Sequence, residues 1–291
     1  MLYNALGEAK ARMLTVVEEF VSVAGRRIRI LLEGSGPPLV LVHGLGGSAD
    51  WWLPSLPSFS RAYTTFAVDL PGSGGSDPPI DADLEAPESF LLALYDTLGI
   101  EVAHLVGHSM GGYVAALFAA SHPERVDHLV LVSNAGFGQF KGRLLRIMAL
   151  PLVGEMLTMT GDLGVEIFAR SLFYDQSKVP RDLIAIAKKY AARRGFSTSF
   201  LRMVRTGVSP LKGWILPTLH EPLRRFQRPL LIVWGDHDCV FSVRHALDLR
   251  ARLPNATIQV FDRCGHMPQI EHRDKFNELV LAFLESAPFL S

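Results

Sequence analysis

Two short stretches rich in β-branched residues, Glu19 to Val23 and Arg27 to Leu32, flank Ala24-Gly25. That arrangement predicts a hairpin at the edge of a sheet. After Gly34-Ser35-Gly36-Pro37-Pro38, compact apolar runs recur at Leu39 to Val42, Thr65 to Val68, Ala103 to Val106, Leu129 to Val132, Leu230 to Trp234 and Ile258 to Phe261. Runs that do not alternate with polar residues suit strands covered on both faces, as in a parallel sheet. Met110 to Ser121, which stops before Pro123, and Lys275 to Ser286 carry helical spacing. Strands alternating with helices imply right-handed crossovers and a doubly wound α/β sheet.

The alternation lapses between residues 136 and 222, where Leu, Met, Phe and basic residues follow helical spacing with no strand between them. This predicts a helical cap (136–222) inserted between a first core part (1–135) and a second core part (223–291). The clearest cap helix is Pro180 to Arg194: Leu183, Ile184, Ala187 and Ala191 share a face, Pro180 suits the first turn, and basic residues precede Gly195. Met148, Met156, Leu157, Met159, Phe168, Phe173 and Met203 can wall an adaptable apolar pocket, although packing between cap helices explains most of them equally well.

Charge adds mainly exclusions. Lys plus Arg and Asp plus Glu number 29 each, so no net field recruits a polyanion and nucleic acid is not an expected partner. Cys239 and Cys264 are too few for a disulfide scaffold; they read as small buried hydrophobes in a reducing cytoplasm. Met1 to Leu14 shows no apolar stretch with a cleavage site, and no apolar run approaches the roughly 18 residues that span a bilayer. A soluble cytoplasmic protein with no membrane span is expected; oligomeric state is not legible.

The chemistry centres on Gly107-His108-Ser109-Met110-Gly111, which links a strand to a helix. In such an elbow the serine is strained and exposed, and glycines flank it because side chains there would strike the strand and helix. The helix N-terminus offers the Met110 N–H to an oxyanion. The plainer alternative is a turn in which Ser109 only caps the helix. Trp234-Gly235-Asp236-His237-Asp238 brings two carboxylates to the same sheet edge, and spacing does not choose between them. His266, after the last strand, reaches that edge too and can serve as general base. In His43-Gly44-Leu45-Gly46-Gly47 the Leu45 N–H is the candidate second oxyanion donor. Asp236, His237 and Asp238 are adjacent residues that do not converge on one ion, so no metal is expected.

Together these segments resemble the α/β-hydrolase superfamily, specifically its cap-bearing esterases and carbon–carbon bond hydrolases, over residues 17 to 288. The resemblance rests on His43-Gly44-Leu45-Gly46 with Trp52, Asp69-Leu70-Pro71-Gly72-Ser73-Gly74 with Ser76, Gly107 to Gly111, Trp234 to Asp238, and Gly265-His266 with Pro268 and Glu271. It implies Ser109 as nucleophile, His266 as base and, as the third residue after Gly235, Asp238 as acid. It gives His43, Trp52, Asp69 and Glu271 loop-shaping or packing roles. The carbon–carbon hydrolases of ring-fission products usually have Asn before the nucleophile and an arginine early in the cap. Here His108 and, by alignment, Ala187 stand there, with Lys188, Lys189 or Arg193 as the cations that could substitute. Dehalogenases and epoxide hydrolases of this shape use an aspartate nucleophile, which Ser109 excludes.

The expectation is a serine hydrolase of small, largely apolar esters acting through an acyl-enzyme, without cofactor. The alternative is cleavage of a carbon–carbon bond in ring-fission dienoates. A non-catalytic receptor with this fold is a further possibility. A fourth is an NAD(P)-binding oxidoreductase, because Gly44-x-Gly46-x-x-Ala49 and Asp69 mimic a dinucleotide fingerprint. Two indoles and a proline in Asp50-Trp51-Trp52-Leu53-Pro54 make a poor start to a phosphate-binding helix.

Overall fold

The structure, a computed structural model, describes residues 16–80, 86–138, 142–159 and 161–285. The reading of Met1 to Leu14 and the end of the Lys275 to Ser286 helix, at Ser286, lie outside the described residues. The expected hairpin forms from β1 (Val17–Val23) and β2 (Arg26–Glu33), with Ala24 and Gly25 at φ 48° and 78°. A two-residue loop needs this left-handed backbone to match the strand twist, and Gly25 adopts it without a Cβ penalty.

The buried runs become β3 (Pro38–Val42), β4 (Thr64–Val68), β5 (Ala103–His108) and β6 (Val126–Val132). A separate hairpin of β7 (Val208–Ser209) and β8 (Gly213–Trp214) precedes β9 (Leu230–Gly235) and β10 (Ala256–Phe261). Among the described residues, the main sheet has eight strands in the order β1-β2-β4-β3-β5-β6-β9-β10. Only β2 runs antiparallel to its neighbours; every other pairing is parallel.

Why the strands lack polar residues is visible along β3. Val40 and Val42 pack into one apolar layer, while Leu39 and Leu41 pack into the other. All four are fully buried. Each such side chain stabilises the fold by roughly 1.5–3 kcal/mol relative to exposure. The first layer includes α1 (Glu88–Leu98) and α2 (Met110–Ser121); α2 is apolar on nearly all sides and correspondingly buried. The second holds Trp52, Phe59 and the inner face of the terminal helix Arg273–Glu285.

Between β6 and β9 no strand among the described residues joins the main sheet. The chain instead forms α3 (Arg143–Met148), α4 (Val153–Thr158), α5 (Asp162–Ser171), α6 (Arg181–Ala191), α7 (Phe196–Gly207) and α8 (His220–Arg224). The segment expected as a helix from Pro180 to Arg194 is α6, with Leu183 and Ile184 buried and Ala187 and Ala191 half-buried. No helix among the described residues is long and apolar enough to cross a membrane.

Candidate active site

Ser109 joins the last residue of β5 to the first of α2 at φ 55° and ψ −117°. A non-glycine residue is held there only when its surroundings impose it. Its N–H donates to Val132 O (2.9 Å), and its carbonyl accepts from Tyr113 and Ala135 N–H (3.1 Å each). Close packing of strand on helix completes the elbow: a Cβ on Gly107 would lie 2.6 Å from Gly111 O, and one on Gly112 2.5 Å from Asn134 Cβ. Ser109 makes no side-chain cap bond to α2. Its hydroxyl lies 2.9 Å from His266 Nε2 instead.

His266 Nδ1 lies 2.9 Å from Asp238 Oδ2. A carboxylate oxygen only accepts, so Nδ1 carries the proton and Nε2 is left to accept from the Ser109 hydroxyl. Asp238 Oδ1 accepts from Val240 and Phe241 N–H (2.8 and 3.0 Å). Ser109, Asp238 and His266 are all buried. Asp236 does something else: its Oδ1 accepts from Cys264 N–H (3.1 Å) and sits 2.7 Å from His237 Nδ1, tying the acid loop to the histidine loop. Burial opposes its ionisation, but these bonds hold its carboxyl below the usual range.

The histidine loop is clamped on both sides. Glu271 Oε1 accepts from Gly265 N–H (2.8 Å) and Met267 N–H (3.3 Å), the residues flanking His266. Its Oε2 accepts from Tyr174 N–H (2.8 Å), just beyond α5. His266 N–H itself donates to Leu172 O (2.7 Å). Glycine is required before the histidine, since a Cβ on Gly265 would lie 2.6 Å from both Leu172 O and Tyr174 N. His108 Nε2 donates to the His266 carbonyl (2.8 Å). Complete burial, and then the nearby His266, push the His108 pKa well below its ordinary value, so this donor stays neutral. Resemblance pointed to Glu271 as a loop shaper; it marked His108 only as a departure from the usual Asn, and no residue pattern indicated its bond to the histidine loop.

Gly44 brings the β3 loop against the nucleophile, for a Cβ there would lie 2.8 Å from Ser109 Cβ. Neither the Leu45 nor the Met110 N–H has a hydrogen-bond partner among the described residues, and both residues border the cavity in front of Ser109. That cavity holds about 910 Å³ of space, counting its mouth, and is walled by apolar groups including Phe90, Leu145, Met203, Trp214 and Phe241. No Lys, Arg, Asp or Glu lines it among the described residues. A second apolar cavity lies beside Gly46 and Trp51, walled by Met148, Leu157, Phe168 and Ala187. Of the other candidate pocket residues, Met156 and Met159 are exposed and Phe173 is buried in the core.

The candidate cations between residues 136 and 222 do not reach the Ser109 cavity: Lys188 pairs with Glu166 (2.8 Å) and Arg193 donates to Gly74 O. Asp69 is not free for a ribose, since it accepts from Ala49 N–H (2.6 Å), Gly75 N–H (2.6 Å) and Arg29 Nη1 (3.1 Å). His43 takes Leu70 N–H on Nε2 (3.0 Å) and lies 2.7 Å from Gly44 O through Nδ1, shaping the loop as expected. Both cysteines are free thiols, but only Cys264 is buried as expected; Cys239 is exposed, so it is not a buried hydrophobe. Among the described residues, one group has metal-ligand proximity, His104, Asp127 and His128 at the far ends of β5 and β6.

The sheet order, the crossovers and the elbow define an α/β hydrolase, and residues 37–273 match that fold family, to which the chain belongs. The chain is 35% identical to the dihydrolipoyllysine-residue acetyltransferase component of the acetoin cleaving system of Cupriavidus necator, covering 90% of this chain and 67% of that one. It is also 35% identical to the 2-hydroxy-6-oxononadienedioate/2-hydroxy-6-oxononatrienedioate hydrolase of Paraburkholderia phymatum, covering 90% and 88%. The solved meta-cleavage product hydrolase of Pseudomonas fluorescens IP01 superposes with a TM-score of 0.79 at 28% identity, covering 93% and 98%.

Proposed function

We propose that the protein is a serine hydrolase that cleaves small, largely apolar carboxylic esters, with residues 136–222 acting as its cap. Ser109 Oγ attacks the ester carbonyl while His266 Nε2 takes its proton. Asp238 steadies the imidazolium, and the Leu45 and Met110 N–H groups receive the oxyanion. His266 then returns the proton to the departing alcohol, and water, activated by the same nitrogen, releases the acid. No cofactor or metal takes part in this scheme. The hydrogen-bonded chain from Ser109 through His266 to Asp238, at 2.9 Å and 2.9 Å, carries the reading.

The uncharged cavity wall favours an ester over a ring-fission dioate. A carboxylate buried without a cation costs several kcal/mol, whereas an ester carries no charge to desolvate. The relative named as a dienedioate hydrolase supports carbon–carbon cleavage as the second reading. Turnover of p-nitrophenyl butyrate and of one ring-fission dienoate separates the two. The ester is expected to be the better substrate by kcat/KM; a preference for the dienoate overturns the proposal in favour of the alternative. Ser109→Ala is expected to abolish turnover of either substrate with folding intact. An inert wild type would leave the non-catalytic reading standing.

A further inference from the structure

The starts of β5 and β6 carry a feature the hydrolase chemistry does not use. Ala103 pairs with Val126 and Leu105 pairs with Leu129, so His104 alone faces two residues, Asp127 and His128. This irregularity turns neighbouring side chains of one strand toward a common partner, which regular alternation forbids. His128 Nδ1 lies 2.8 Å and His104 Nδ1 3.3 Å from the same oxygen, Asp127 Oδ2. All three residues are buried, and their donor atoms fall within 4.8 Å of one another. We propose that His104, Asp127 and His128 form a structural binding site for a Zn²⁺-type divalent cation at the sheet edge opposite the catalytic serine.

The chemistry of the set fits that class of ion. Two imidazoles and one carboxylate suit borderline first-row dications, while Mg²⁺ and Ca²⁺ require an oxygen shell. Ligand atoms around a tetrahedral Zn²⁺ stand about 3.3 Å apart, so His104 and Asp127 are already at that spacing, and His128 needs to withdraw by about half an ångström. Water completes the fourth position. Arg228 Nη1, 3.5 Å from Asp127 Oδ1, holds the other carboxylate oxygen and leaves Oδ2 facing the two rings. Without an ion, His128 Nδ1 must be protonated to donate to Asp127 Oδ2, and ligation exchanges that proton for the metal. His104 is four residues before the end of β5, about 16 Å from the elbow at 3.3 Å per residue. Occupancy there bears on stability rather than on turnover.

The test is titration of the EDTA-dialysed full chain with Co²⁺, followed by displacement with Zn²⁺. One equivalent of Co²⁺ is expected to bind with visible absorption typical of tetrahedral coordination, which Zn²⁺ abolishes and excess Mg²⁺ does not. Asp127→Asn and His128→Gln are expected to weaken binding by at least about 100-fold while leaving ester turnover unchanged. His266→Ala is expected to bind Co²⁺ as the wild type does. No saturable binding by the wild type overturns the proposal, and so does binding that survives both ligand variants or disappears only in His266→Ala. Anomalous diffraction at the zinc edge from wild-type crystals decides without any variant: density between the three residues supports the site, and zinc elsewhere or nowhere overturns it. Failure of the ester reading would change the turnover control alone and leave these binding outcomes untouched.

Discussion

Asp238 is held on both carboxylate oxygens, one by the Val240 and Phe241 N–H groups and the other by His266. Asp236, two residues earlier, spends its Oδ1 on Cys264 and His237. If Asp238 steadies the imidazolium, Asp238→Asn lowers kcat by about 10⁴-fold, because the amide favours the wrong imidazole tautomer. Asp236→Asn, which leaves the His266 contact intact, is expected to cost less than tenfold; steady-state kinetics on p-nitrophenyl butyrate compare them directly. A similar asymmetry applies at Leu45. Its N–H is the proposed oxyanion donor and its side chain only borders the cavity, so Leu45→Ala should shift KM and largely spare kcat. A large kcat loss there would show that the Leu45 side chain itself holds the loop in place for the chemical step. Spacing alone left Asp236 and Asp238 equivalent, because which carboxylate faces the histidine depends on how the loop after β9 turns back over the histidine loop.

At the scale of elements, the most instructive unit is the loop carrying His266, fixed from its own side by Glu271 and from the insert by Leu172 and Tyr174. Glu271→Ala removes three hydrogen bonds at once, and a general base displaced by about 1 Å can lose on the order of 100-fold in kcat. Glu271→Gln keeps one acceptor oxygen for Gly265 and Met267 but turns an NH₂ toward the Tyr174 N–H, which also donates. Its kcat is expected to lie between wild type and Glu271→Ala, with folding unchanged by circular dichroism; equal kcat in all three removes any positioning role. The long elements were legible beforehand: α2 occupies the expected Met110 to Ser121, and the apolar runs mark β3 to β6, β9 and β10. The short insert helices α3 and α4 were not, because six residues complete fewer than two turns and give periodicity too little length to register. His108 was missed for another reason: its bond to the His266 carbonyl joins positions 158 residues apart, which no local pattern encodes.

For the molecule as a whole, the sheet sorts its histidines by environment, and stability should depend on pH accordingly. Burial lowers the pKa of His43, His104 and His108, so the unfolded chain takes up protons near pH 6.5 that the folded chain refuses. Protons therefore favour unfolding: this stability is fully present above about pH 6.5 and is lost as pH falls below it. Burial acts in the opposite sense on Asp69 and Glu271, whose raised carboxyl pKa values make the folded chain the better proton acceptor in acid. The net slope mixes both signs, but one histidine can be isolated. His108→Gln keeps an N–H able to donate to the His266 carbonyl and has no proton to gain in the unfolded state. Between pH 7 and pH 5 the wild type is expected to lose up to about 2 kcal/mol more stability than His108→Gln, at 1.36 kcal/mol per pH unit below 6.5. Urea unfolding of both proteins at the two pH values measures the difference. Parallel losses would mean that His108 takes up its proton in the folded state, and the neutral tether beside the proposed general base would have to be abandoned.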